Sequence, residues 1–153
     1  MSSKIQKYAA KSQLMDISIK LGEGETFKFN LFEELEITEE RVQTELLVQA
    51  SSYAFVGMLH KRLLTVMEDR KLTASTAKAK SYLWWKGEEN DNGKPYSDDY
   101  CWAQAEVDKE YVAAMKEYNE AKEKAGLLEI CVTAFEERKD LIQTISANNR
   151  KEK

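Results

Sequence analysis

The sequence predicts a mainly α protein: a long antiparallel helical hairpin with a small N-terminal β-hairpin. Three observations predict it. Apolar and polar residues alternate over 13–31, apolar residues follow three-four spacing from residue 42 onward, and one cluster of turn residues at 87–99 divides that second region. One proline and six glycines stand among 153 residues, a third of them charged, so little stops a helix once it has begun. The length suits one domain, expected over 13–153 behind a flexible, basic start at 1–12.

In "MDISIKL" the apolar Met15, Ile17, Ile19 and Leu21 alternate with Asp16, Ser18 and Lys20. After "GEGE", Phe27, Phe29 and Leu31 alternate with Lys28 and Asn30, which reads as a hairpin over 13–31 with one apolar face. Two strands alone are marginal in water, so that face should pack on a helix or on a neighbouring subunit.

The first long helix is expected over 39–86. Thr38 is its candidate N-cap, with Glu39 and Glu40 in the first turn, where carboxylates suit the helix dipole. Its apolar row passes Val42, Leu46, Gln49, Tyr53, Val56, His60, Leu63 and Met67, then fades through Arg70 to Ala74 and Ala77. Gly57 and the Thr/Ser run at 73–76 weaken the helix without ending it.

"GEENDNGKPYSDD" holds three turn signals and the proline, which makes 87–97 the loop. Ser97 is placed to cap a second helix over 98–149, with Asp98 and Asp99 in its first turn. Its heptad-like row runs Val107, Tyr111, Ala114, Tyr118, Ala121, Ala125, Leu128, Val132 and Phe135, then Lys139 and Ile142. Two helices of similar length on a short loop should fold back on each other. Such a pair is too thin to cover all its apolar faces, so a homo-oligomer larger than a dimer is expected.

A formal charge of −4 argues against a protein basic all over. No apolar run approaches the roughly 18 residues of a membrane span, and no positive-then-apolar leader opens the chain. Cys101 and Cys131, thirty residues apart, read as two reduced thiols, and the expected compartment is the cytoplasm. His60, the one histidine, falls in a helical apolar row and reads as a packing residue. No Ser/His/Asp set or phosphate-cradling loop is present, so no catalytic residue, metal or cofactor is expected, and the chain does not read as an enzyme. "ENDNGKPYSDD" loosely fits a calcium loop, but Pro95 and the short Asp99 at its last position favour a plain turn.

Charge is segregated along the chain. Residues 57–87 hold seven bases (Lys61, Arg62, Arg70, Lys71, Lys78, Lys80, Lys86) against Glu68 and Asp69, while 22–42 hold seven acids against Lys28 and Arg41. Within the basic stretch, "KAKSYLWWKG" brings Tyr82, Trp84 and Trp85 close to Lys78, Lys80 and Lys86. Ammonium groups for phosphates and flat rings for bases are the two ingredients of single-strand binding. The alternative is that the rings cap the end of the helical hairpin, against Tyr100 or Trp102, and that the lysines line a solvated face. The ten candidate nucleic-acid-binding residues are therefore Lys61, Arg62, Arg70, Lys71, Lys78, Lys80, Tyr82, Trp84, Trp85 and Lys86.

From about Leu35 to Arg150 the chain resembles the phage UvsY-type recombination mediators. The likeness rests on "LEITEERVQTELL", on "KAKSYLWWKG" and on the closing "LLEICVTAFEERKDLIQTISANNR". The resemblance implies a non-enzymatic homo-oligomeric ring that binds single-stranded DNA. It also implies loading of a RecA-like recombinase onto strands coated by single-strand-binding protein, in the host cytoplasm if the chain is phage-encoded. By motif it touches Lys78, Lys80, Tyr82, Trp84, Trp85 and Lys86, whereas Lys61, Arg62, Arg70 and Lys71 rest on charge and helical position. The aromatic segment is one residue longer than the family pattern, and the hairpin has no counterpart in it. A rival reading is a structural or adaptor protein whose long helices form a protein–protein scaffold with the aromatics buried.

Overall fold

Alternation at the start of the chain does produce strands. In the computed structural model, which describes residues 4, 5, 7, 8, 15–20, 25–37 and 41–151, β1 (Asp16–Lys20) pairs antiparallel with β2 (Thr26–Asn30). The register sets Ile17 opposite Phe29 and Ile19 opposite Phe27, so the four apolar side chains share one face. The expected loop residues Gly22 and Gly24, most of the 1–12 start, and the Thr38 cap with Glu39 and Glu40 lie outside the described residues.

Where two helices are expected, residues 31–151 hold four. A five-residue helix, α1 (Leu31–Leu35), follows β2 directly and was not anticipated. Asn30 explains it: its side-chain oxygen accepts from the backbone N–H of Phe32 and Glu33, while its amide donates to Asp16 on β1. One side chain thus ends the strand and starts the helix. The first long helix, α2, runs Val42–Gly87 without interruption. The Thr/Ser run stays inside the helix, where the Thr73 hydroxyl donates to the Asp69 carbonyl.

The second long helix corrects the expectation of one helix over 98–149. It is two: α3 (Asp98–Val107) and α4 (Lys109–Lys151), separated at Asp108. Asp108 has extended ψ, and its carboxylate accepts from the N–H groups of Glu110 and Tyr111, capping α4 locally. Val107 consequently leaves the apolar row and is exposed. The rest of that row behaves as expected, with Ala121, Ala125, Leu128, Phe135 and Ile142 buried.

The chain divides into two compact units, one of Met1–Phe55 with Cys131–Lys153 and one of Val56–Ile130. In the first unit, Ile17 and Ile19 are buried, and Phe27 meets Phe55 of α2 edge-on at 5.1 Å. The apolar face of the hairpin therefore packs on a helix. The same unit buries two polar side chains of the facing helices. Gln49 donates to the Phe135 carbonyl at 2.7 Å and accepts from Arg138, and Arg138 pairs with Glu45 at 2.6 Å and reaches the Glu36 carbonyl. Gln49 belongs in the apolar row because these partners satisfy it.

In the second unit, Val56, Leu59, Leu63 and Ala74 of α2 and Cys101, Ala105, Ala121, Ala125 and Leu128 of α3 and α4 are buried. Here α2 and α4 again run antiparallel, Arg70 facing Glu117 and Lys78 facing Tyr111. Residues 88–97 form a tight loop. Glu89 bridges Pro95, Gly93 takes a φ of 66°, and the Asn90 carboxamide oxygen accepts from Asn92 and Lys94. Ser97 caps α3, as its position predicts, by accepting from Tyr100. Among the described residues no helix is long and apolar enough to cross a membrane, and no group of three or more His, Cys, Asp or Glu could hold a metal ion.

Candidate nucleic-acid interface

All ten candidate residues lie on α2 within the second unit. At 3.6 residues per turn, seven cations spread over 26 positions cannot share one stripe. Arg70 and Lys78 stand one turn either side of buried Ala74, on the face turned to α4. Lys80 and Trp84 are also one turn apart, and Arg62 lies about five turns before Lys80 on the same side; all three are exposed.

The cations divide accordingly into held and open groups. Arg70 pairs with Glu117 at 2.5 Å, Lys78 with Glu106 at 2.9 Å, and Lys86 with Asp98 at 2.7 Å. Lys78 is the most constrained, because its ammonium also sits 5.6 Å from the Trp102 ring centre and 5.4 Å from that of Tyr111. Lys71 makes only a long 3.9 Å contact to Glu68 of its own helix. Among the described residues Lys61, Arg62 and Lys80 make no ion pair. Lys80 also lines a shallow groove of about 400 Å³ with Leu72, Thr73, Thr76, Glu110 and Ala114.

The end of α2 is tied to the start of α3 by charge. Asp98 accepts from both Lys86 and the Tyr82 hydroxyl, the latter at 3.1 Å. The hydrogen bond from Lys86, then that from Tyr82, holds the Asp98 carboxyl below its ordinary pKa. In return Asp98 raises both Lys86 and Tyr82, and the Glu106 hydrogen bond raises Lys78. Burial raises the Tyr96 phenol nearby.

The rings also sort into occupied and open. Tyr82 stacks on Trp102, centroids 4.1 Å apart and planes 21° off parallel. Trp85 is half-buried and presents edges to Trp84, Tyr96 and Tyr100, while Tyr96 and Tyr100 stack at 4.4 Å. Among the described residues Trp84 touches one ring, that of Trp85, and it is 58% exposed. Of the three aromatics singled out in the sequence, two are committed to packing against the loop and α3. One is open to a ligand.

Sequence reasoning missed the acids that hold the cations. Asp98 reads from sequence as a first-turn helix residue, and Glu106 and Glu117 carry no local signal, since only the pairing of the helices brings them to Lys78 and Arg70. Tyr96, beside Pro95, reads as part of the loop and lies in it, and it is also a stacking partner of Tyr100. The chain matches no known protein-family model, no curated protein and no solved structure.

Proposed function

We propose that this protein binds single-stranded DNA without strong sequence preference and acts as a recombination mediator. In this reading it helps load a RecA-like recombinase onto strands coated by single-strand-binding protein. One observation carries the binding step: Trp84 is exposed one helical turn from the unpaired Lys80, so a ring face and a phosphate-seeking ammonium stand side by side. Arg62 and Lys61 extend the positive charge along α2. Stacking on one ring plus a few phosphate contacts gives modest affinity per chain. A homo-oligomeric ring would repeat the patch and bind long strands far more tightly than short ones. The mediator role, the recombinase and its coating protein, and a cytoplasmic setting rest on the likeness in "KAKSYLWWKG" and the flanking helices.

The test is quenching of tryptophan fluorescence by short and long oligo-dT across a salt series. The reading expects quenching that weakens with salt, favours the long strand and needs Trp84. Absent quenching at low salt would remove it, and light scattering showing a monomer at micromolar concentration would remove the ring.

A second reading, a structural or adaptor scaffold, is favoured by a different observation. Met58, Leu72 and Leu83 are each more than 60% exposed on α2, and the packed Tyr82–Trp102 and Trp85–Tyr96–Tyr100 rings need no ligand. Oligomerisation without any DNA-dependent quenching is its signature.

A further inference from the structure

Three cations of the candidate interface are matched one to one by carboxylates from α3 and α4: Lys86 by Asp98, Lys78 by Glu106 and Arg70 by Glu117. All three acids are well exposed, so they are not compensating a buried charge. Each sits where a phosphate oxygen would sit, within hydrogen-bond reach of the basic group.

We propose that Asp98, Glu106 and Glu117 are internal competitors of the strand: they occupy Lys86, Lys78 and Arg70 in the free protein, and a strand must displace a carboxylate to use each cation. This rests on the single-strand reading above and adds a control on its affinity. The physical consequence lies in the ions. A free lysine that meets a phosphate releases a condensed counterion from the strand. A lysine taken from a carboxylate does the same, but the vacated carboxylate recruits a cation from solution, so the net release falls towards zero. Wild-type protein should then show the shallow salt dependence of the open residues Lys61, Arg62 and Lys80 alone.

The experiment compares two variants of equal net charge on oligo-dT over a salt series. The first, Asp98→Asn/Glu106→Gln/Glu117→Gln, removes the three competitors. The second, Asp99→Asn/Glu120→Gln/Glu123→Gln, removes three exposed acids of the same helices that make no ion pair among the described residues. The first should bind tighter at low salt, with a log–log salt slope steeper by about 2, at about 0.7 per freed contact. Between about 50 and about 200 mM salt it should lose roughly twentyfold more affinity than wild type. The second should keep the wild-type slope. If the triple variant does not fold by circular dichroism, Glu117→Gln alone, at a pair exposed on both sides, should steepen the slope by about 0.7 through Arg70. Equal slopes in the two variants, with wild type still binding oligo-dT, would overturn the competitor role and leave the single-strand reading standing. No binding by wild type and either variant would overturn both.

Discussion

Replacing Trp84 and Trp85 one at a time separates packing from ligand stacking, because the two neighbours differ in what they touch. Trp85 presents edges to three rings at 4.7, 5.7 and 5.7 Å and is half-buried. Edge-to-face pairs contribute about 0.5–1.5 kcal/mol each beyond area burial. With the part of a large side chain that is removed from water, Trp85→Ala should cost about 2–4 kcal/mol of folding stability. Trp84 keeps one ring contact and is 58% exposed, so Trp84→Ala should cost about 1 kcal/mol or less. The order reverses for binding. Losing a stacking platform costs about 1–3 kcal/mol, or roughly fivefold to 150-fold in oligo-dT affinity, and leaves the salt slope unchanged because stacking releases few counterions. Urea unfolding followed by circular dichroism reads the first quantity, and fluorescence anisotropy of labelled oligo-dT across salt reads the second. Equal destabilisation by the two substitutions would assign Trp84 to packing. Full DNA affinity in a folded Trp84→Ala protein would refute the stacking role outright.

Three further outcomes follow from the geometry. Arg138→Ala leaves Glu45 and Gln49 without their partner at a site where Arg138 is 5% exposed, and should cost about 3–5 kcal/mol in urea unfolding; a loss within experimental error would mean water replaces the guanidinium freely. Asp108→Ala removes the acceptor for the Glu110 and Tyr111 N–H groups and should cost about 1 kcal/mol; a variant as stable as wild type would show that α3 and α4 gain from fusing into one helix. Asp98→Asn tests the Lys86 link by its pH dependence. The folded Asp98 carboxyl lies below its ordinary pKa and the Lys86 ammonium above its own. Stability from the carboxylate is therefore present above the ordinary carboxylate range and lost as pH falls through the lowered value, while that from the ammonium is lost as pH rises through the raised one. The melting temperature of Asp98→Asn should sit below wild type from about pH 5 to about pH 9 and converge with it as pH falls through the lowered carboxyl value; a difference constant with pH would refute an ionic origin.

Local rules in the sequence determined the element types. Alternation requires Ile17, Ile19, Phe27 and Phe29 to share a sheet face, and three-four spacing requires Val42, Gln49, Val56 and Leu63 to share a helix face. The turn residues placed the break after Gly87, and Ser97 marked the start of α3. Asp108 escaped because a capping aspartate inside a continuous apolar row looks like any solvated helix residue. Its carboxylate wins the competition for the Glu110 and Tyr111 N–H groups only once Val107 gains nothing by staying in the row. The basic, aromatic character of 78–86 was equally plain, since composition is local. Which of those groups remain open was not. Lys80 and Trp84 differ from Lys78 and Trp85 only by where 100° steps point them relative to α3 and α4. The partners that hold Lys78 and Trp85 lie up to 33 residues away in the chain, and only the pairing of helices and the closing of the loop bring them into reach.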